Sequence, residues 1–337
     1  MTKRNVLVTG AGGFIGGHLV KRLLAEGDYV TAVDIKGLDQ WHQVHEVGNV
    51  DYFDLSSIST ALKLQEYRFD EVFQLAADMG GMGFIETNKL ECMLTVLTTT
   101  NVLMLANVAG WGRVTYASSA CVYPGYMQND PMNMSSQRWM LAEGDAYPAD
   151  PEDGYGWEKL FGERMHRHFR EDRNLDTRVV RFHNVYGPHG SWTGGREKAP
   201  AALCRKVAHA KLTGTTEVEV WGDGTQLRSF CYVDDAVEGM LRVGRGAYVD
   251  AVNVGSAELV SVNDLLDVIT FIADYDVSPK YIPGPLGVKG RSSDNTLIKE
   301  LYGWEPSIPF TNGMRKTYDW VEEQVQRELE LGGERLR

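Results

Sequence analysis

The sequence predicts an α/β protein built on a doubly wound parallel sheet, with a smaller mixed α/β substrate lobe toward the C-terminus. Three observations predict it. Through the first two-thirds of the 337 residues, short apolar runs alternate with amphipathic stretches, the pattern of βαβ units feeding a parallel sheet. A glycine cluster stands between the first apolar run and the first amphipathic stretch. After Gly187 the alternation weakens, and loops at residues 194–195, 222–224 and 283–290 separate shorter segments.

Residues 5–8 read as the first strand, 13–25 as its crossover helix and 29–33 as the second strand. Residues 71–75 and 114–117 read as strands leading into residues 76–78 and 118–121. Between them a helix over 94–108 has apolar residues at three- and four-residue steps. A helix over 155–169 and a strand over 177–181 complete the regular part. This organisation divides the chain into residues 1–183 and a mainly substrate-binding lobe of residues 184–337, with crossing back between them allowed. The charged stretch 322–337 reads as a solvated surface helix.

Composition bounds the function. The 43% hydrophobic and 24% charged content is that of an ordinary globular protein. A net charge of -12 opposes nucleic-acid binding through a generally basic surface, yet leaves room for one basic cleft. Cys92, Cys121, Cys204 and Cys231 are scattered, with no C-x-x-C pair and no metal-ligand spacing. Reduced thiols and no bound metal are therefore expected. The N-terminus lacks the pattern of a signal peptide, and no apolar run is read as reaching the roughly 18 residues of a membrane span. The expectation is a cytoplasmic protein without a membrane segment.

The glycine cluster carries the first chemistry. Gly10, Gly13 and Gly16 are spaced G-x-x-G-x-x-G between strand and helix. Glycines there permit a tight turn, a close backbone approach to a pyrophosphate and a helix lying near the sheet, as in Rossmann-type folds. The helix N-terminus offers free N–H groups to the phosphates. Asp34 ends the second strand, where an acid accepts the ribose hydroxyls and repels a 2′-phosphate, so NAD is expected rather than NADP. Phe14, Ile15, Leu55 and Ala76 join the expected cofactor contacts. Asp54 reads equally well as a contact to the adenine edge or as a helix N-cap.

Tyr155 and Lys159 are four residues apart, which puts both on one helix face. A nearby ammonium is expected to lower the phenol from its ordinary value of about 10, so that tyrosinate can act as a base. The strand ending in Ser118 and Ser119 precedes them. The glycine loop, Ser119 and the Tyr155/Lys159 helix together resemble the extended short-chain dehydrogenase/reductases that modify nucleotide sugars. That resemblance implies that Tyr155 takes a sugar hydroxyl proton while hydride passes to NAD. Lys159 would hold the nicotinamide ribose and tune Tyr155, and Ser119 would hydrogen-bond the reacting oxygen.

Longer stretches narrow the resemblance. Residues 76–84 (Ala-Ala-Asp-Met-Gly-Gly-Met-Gly-Phe), 118–124 (Ser-Ser-Ala-Cys-Val-Tyr-Pro) and 194–202 (Gly-Gly-Arg-Glu-Lys-Ala-Pro-Ala-Ala) are similar to the GDP-mannose 3,5-epimerases. So are residues 221–224 and 290–295, and the likeness runs in order from about residue 5 to about residue 320. The implied reaction interconverts GDP-D-mannose and GDP-L-galactose, extending to GDP-L-gulose. Oxidation at C4 makes the hydrogens on C3 and C5 acidic, and inversion needs a base on one face and an acid on the other. Cys121, two residues beyond Ser119, and Lys198 suit those roles. The resemblance assigns the acid/base pair to the same two residues without ordering them.

Arg291 and Lys206 are the cations expected on the diphosphate. Asn184 is similar to the family's substrate-contacting asparagine. The resemblance adds Gly80, Met82, Ala120, Glu197, Ala199, Trp221, Gln226 and Arg228 to the substrate contacts, and implies a homodimer joined through helices 94–108 and 155–169. Residues 125–140, rich in Met and Gln, depart from the family segment. A GDP-fucose-synthase-like epimerase/reductase is the nearest rival, with His189 as its second acid/base, but Asp34 opposes the NADP it would use. Ala120 and Cys121 stand where a 4,6-dehydratase carries an Asp-Glu pair. A simple C4 epimerase would not need Cys121 and Lys198. An NAD-binding scaffold without activity would not need the complete Ser119/Tyr155/Lys159 set.

Overall fold

A parallel sheet organises the molecule, because each connection between its strands is long enough to hold a covering helix. The strands are β1 (Asn5–Thr9), β2 (Tyr29–Asp34), β3 (Asn49–Tyr52), β4 (Glu71–Gln74), β5 (Arg113–Ser119), β6 (Thr177–Phe182) and β7 (Ala251–Val254). The protein is described by a computed structural model that covers residues 3–47, 49–129 and 140–333. All seven strands are parallel, in the order β7-β6-β5-β4-β1-β2-β3. The order reverses between β1 and β4, which opens a crevice at their carboxyl ends. The predicted doubly wound sheet is present.

The helices used below are α1 (Phe14–Ala25), α2 (Lys89–Ala109), α3 (Gly154–Arg173), α4 (Ala199–Thr213), α5 (Val233–Arg245) and α6 (Phe310–Glu330). The Asp153 carboxylate starts α3 by accepting the Gly156 N–H at 2.7 Å, and Asn174 ends it in a left-handed conformation. Pro200 stands in the first turn of α4, where its missing N–H costs nothing.

A smaller four-stranded sheet runs Leu259–Ser261, Leu227–Ser229, Gly290–Ser293, Met140–Leu141. The chain crosses between the two sheets in both directions: Met140–Leu141 pairs with Gly290–Ser293, and β7 returns to pair with β6.

One expectation is corrected and a second is narrowed. Helix α2 contains an 18-residue window of mean hydropathy 1.5, long and apolar enough to cross a membrane. The threonines at 95 and 98–100 hide it from a search for unbroken apolar runs. In the fold it packs on α3, burying Cys92, Thr95, Thr99, Val102, Leu103 and Ala106. The solvated reading of residues 322–337 is narrowed: of helix residues 322–330 Val325 alone is buried, at the end of a stripe that begins before the stretch. Met314, Thr317, Tyr318, Val321 and Val325 form a buried stripe on α6, which packs against α4. Residues 334–337 of the predicted surface helix lie outside the described residues.

A buried polar knot ties β5, β6 and α3 together. Arg181 grips Glu163 with two bonds, Nε to Oε1 at 2.8 Å and Nη2 to Oε2 at 2.7 Å. Ser118 donates to the same carboxylate at 2.6 Å, and Arg181 Nη1 reaches the Glu143 carbonyl at 2.7 Å. Removing one partner of such a pair leaves a charge without a counter-ion in the interior. Glu163→Ala is therefore expected to cost about 3–5 kcal/mol, read from the urea unfolding midpoint. A double replacement of Glu163 and Arg181 by apolar residues should recover much of that loss.

Candidate active site

The glycine loop closes the bottom of the crevice. Gly10 adopts φ 71°, and a Cβ there would lie 2.8 Å from Ala76 N. At Gly16 a Cβ would stand 2.2 Å from the Gly10 carbonyl oxygen, so only glycine lets α1 start this close to β1. Phe14 and Ile15 lie in the first turn of α1, and the leading N–H groups of a helix suit an anion.

Asp34 closes the β2 end. Its Oδ2 accepts Gly12 N–H at 2.9 Å and its Oδ1 accepts Lys36 N–H at 3.0 Å. A carboxylate has about four lone-pair sites, so acceptor capacity remains for two ribose hydroxyls. These residues fit NAD. Ala76 N is held by Thr9 Oγ1 at 3.3 Å, and Leu55 is buried. Asp54 makes a turn with Ser56, bonding its N–H at 3.0 Å and its hydroxyl at 2.6 Å. The short helix Ile58–Ala61 begins at Ser57, so Asp54 is not its N-cap.

Strand β5 delivers Ser119, whose Oγ accepts the Cys121 N–H at 3.2 Å. Helix α3 approaches this turn closely because residue 156 is glycine: a Cβ there would sit 2.2 Å from the Cys121 carbonyl oxygen. Tyr155 packs against Ile85, Cys92 and Cys121. Burial holds its phenol well above the ordinary range, the negative charges of Cys121 and Glu158 push the same way, and the Ser119 hydrogen bond opposes them.

The expectation that Lys159 lowers Tyr155 is thus corrected. Lys159 Nζ lies 3.7 Å from Glu158 Oε2, 4.9 Å from the Tyr116 ring centroid and 5.5 Å from that of Tyr155. Glu158 is fully buried and takes the ammonium as its counter-ion, with Tyr116 donating to its other oxygen at 3.2 Å. Burial raises the Glu158 carboxyl, and Lys159 offsets part of that rise.

Around Cys121 the structure gathers cations. Arg291 Nη1 donates to Cys121 Sγ at 3.3 Å. Its Nε bonds Gln128, which is itself anchored to the carbonyls of Tyr123 and Pro124 at 2.9 and 3.2 Å. Burial lowers Arg228 to about 10, with Arg291 adding to the effect and Glu152 and Cys121 opposing it. Lys198 immediately precedes α4, at its N-cap position. Burial of its ammonium lowers it below the ordinary lysine value; the Cys121 charge opposes this and Arg291 adds to it. Among the described residues, no carboxylate lies within ion-pair distance of Arg228, Arg291 or Lys198. An otherwise acidic chain therefore carries a cationic cleft suited to a diphosphate.

Two distant motifs form one wall beside this cleft. Gly81 N donates to the Arg196 carbonyl at 3.0 Å, and a Cβ on Gly81 would lie 2.4 Å from the Glu197 carbonyl oxygen. Arg196 pairs with Asp78 and stacks 3.8 Å over the Phe84 ring, which also covers Gly80. Trp221 is half-exposed and lies between Gly83 and Gly284, while Met82 reaches Gly287. Gln226 Oε1 is buried without a hydrogen-bond partner among the described residues, a free acceptor on the same side.

The structure brings Ser119, Ala120, Cys121, Tyr155, Lys159, Lys198, Arg228 and Arg291 together. It engages others elsewhere. Lys206 donates to the Glu219 carbonyl at 2.6 Å, which leaves two of its three donors for another partner. Glu197 accepts from Gly195 N at 2.7 Å and Arg205 at 3.2 Å. Asn184 donates to the Ser229 carbonyl at 3.0 Å, which leaves its Oδ1 to a ligand. Ala199 is the first residue of α4. His189 sits beside His18 and Trp320, with ring centroids 5.9 and 5.2 Å away, and not at Cys121. Glu158 and Gln128 were not anticipated. Gln128 falls within the departing stretch 125–140, of which residues 130–139 lie outside the described residues.

Known proteins resemble this chain in sequence and in fold. Residues 6–255 match the NAD dependent epimerase/dehydratase family. GDP-mannose 3,5-epimerase 1 of Oryza sativa subsp. indica is 45% identical over 98% of this chain and 85% of its own length. The crystal structure of UDP-glucose 4-epimerase from Thermotoga maritima has a TM-score of 0.84 at 24% identity, covering 95% of this chain and 99% of that one. MoeE5 in complex with UDP-glucuronic acid and NAD has a TM-score of 0.78 at 28% identity, covering 95% and 100%. The chain belongs to the NAD dependent epimerase/dehydratase family and is similar over nearly its full length to the GDP-mannose 3,5-epimerases within it.

Proposed function

We propose that the protein interconverts GDP-D-mannose and GDP-L-galactose, with GDP-L-gulose as the singly inverted relative. One observation carries the reading: a second ionisable pair, Cys121 and Lys198, stands beside the Ser119/Tyr155/Lys159 set in a cleft of unpaired cations. Bound NAD supplies a hydride acceptor at C4 that is returned as a donor, so the reaction has no net redox change. Tyr155 takes the C4 hydroxyl proton with Ser119 holding the oxygen, and later gives it back. Between those events Cys121 and Lys198 remove and replace the protons on C5 and C3. Arg291 and Arg228 meet the diphosphate. The test is the product mixture from GDP-mannose and purified enzyme without added nicotinamide. Net consumption of NADPH would instead establish the epimerase/reductase.

The protein is also proposed to act as a homodimer. Leu90, Leu94, Leu97 and Val108 on α2 are exposed, as are Trp157 and Phe161 on the adjoining α3, and such an apolar face suits a twofold helix pairing. Leu97→Glu combined with Phe161→Glu should shift sedimentation from dimer to monomer. A wild-type protein that sediments as a monomer at micromolar concentration would rule the dimer out.

A further inference from the structure

The stretch after Asp34 doubles back across the start of α1. Two glycines there, Gly12 and Gly17, lie outside the G-x-x-G-x-x-G spacing, and the structure gives each a partner. The Trp41 indole occupies the place of a Cβ on Gly12, with ring atoms 2.5–2.7 Å from that position. The Gln43 side chain does the same at Gly17, with Nε2 at 2.9 Å, and His45 Nε2 lies 3.1 Å from the Gly17 carbonyl oxygen. Residues 41–45 thus form a strap docked along the helix end that faces the cofactor phosphates.

The strap also closes a circuit. Trp41 Nε1 donates to the Lys36 carbonyl at 3.0 Å, Lys36 N donates to Asp34 Oδ1, and Gly12 N donates to Asp34 Oδ2. The indole on Gly12 completes the ring. Both elements that flank the adenosine half of NAD, the Asp34 carboxylate and the glycine loop, are therefore braced by one side chain. Bracing here has a chemical use. A cofactor that left in its reduced form would strand a ketone that only that hydride can restore.

We propose that Trp41 is a cofactor-retaining residue: docked on Gly12, it holds Asp34 and the glycine loop closed around the adenosine half of NAD and slows its release. This goes beyond the sugar reaction and holds whichever nucleotide sugar is the substrate.

The test is the rate at which bound NAD exchanges with radiolabelled NAD on purified protein, with no sugar present. Trp41→Ala should release NAD roughly tenfold faster than wild type, the scale of one lost aromatic contact, and Trp41→Phe, which keeps a ring on Gly12 but loses the bond to Lys36, should fall between the two. Gly12→Ala, which puts a methyl group in the indole's seat, should match Trp41→Ala. The double variant should release no faster than either single one, because both remove the same contact. Release from Trp41→Ala within about twofold of wild type overturns the proposal. Slower release overturns it too, since the indole would then be an obstruction. If Trp41→Ala does not fold, Trp41→Leu carries the same test, because it keeps apolar bulk but loses the bond to Lys36. Absence of sugar turnover leaves this readout unaffected, so the two claims fail separately.

Discussion

Cys121→Ala is expected to stop proton exchange at the carbon it serves while leaving the hydride step intact. The thiol stands two residues beyond Ser119 and within 3.3 Å of Arg291, and the bond to Ser119 Oγ comes from the Cys121 backbone N–H, which alanine keeps. Loss of a positioned acid or base costs about 10²–10⁴-fold in rate. The variant should therefore bind substrate, reduce its bound NAD and stall at the ketone, visible as a rise in nicotinamide absorbance that wild type does not accumulate. Lys198→Met should also block inversion. Because burial holds the Lys198 ammonium below the ordinary lysine value, it gives up its proton at lower pH than a free lysine would. If Lys198 serves as the acid, wild-type activity falls as pH rises through that lowered value; if it serves as the base, activity rises there. Epimerisation by Cys121→Ala at the wild-type rate would remove the thiol from the mechanism.

Tyr155→Phe should give the opposite signature. Without the phenol no group takes the C4 hydroxyl proton, so neither reduction of bound NAD nor exchange at C3 and C5 should be seen, with turnover lower by about 10³-fold or more. The ring itself packs on Ile85 and Cys92, and phenylalanine keeps that packing, so fold and NAD content should survive. Burial and the Glu158 charge hold the phenol high, and the Ser119 hydrogen bond works against them. The Lys159 ammonium is shared between Glu158, 3.7 Å away, and the Tyr155 ring, 5.5 Å away. A Tyr155→Phe enzyme that still reduces its bound NAD on adding sugar would assign the first proton transfer to another group.

What could be read in the sequence follows from how local each signal is. The glycine spacing, the acid ending β2 and the Tyr155/Lys159 step are each contained within one turn or one strand–loop unit, and the structure places them as expected. The same holds for β1, β2, β4, β5 and β6, whereas β7, at residues 251–254, was not read from the sequence because it returns to the sheet from the second lobe. Contacts between distant residues left no such trace. Gln128 orients Arg291 across 163 positions, and no periodicity records that pairing. Glu158 lies beside Lys159 in sequence, but its full burial depends on Tyr116 in β5. Lys206 donates to the Glu219 carbonyl, a backbone contact that its charge does not announce. The buried face of α6 was hidden by the charges on its opposite side.

The measurement that tests the central claim most directly is NMR of GDP-mannose incubated with the purified enzyme in heavy water, with no nicotinamide added. The account predicts deuterium at both C3 and C5, with GDP-L-galactose forming and the tightly held NAD unchanged at the end. Absence of exchange at both carbons, even after NAD is added, would contradict it.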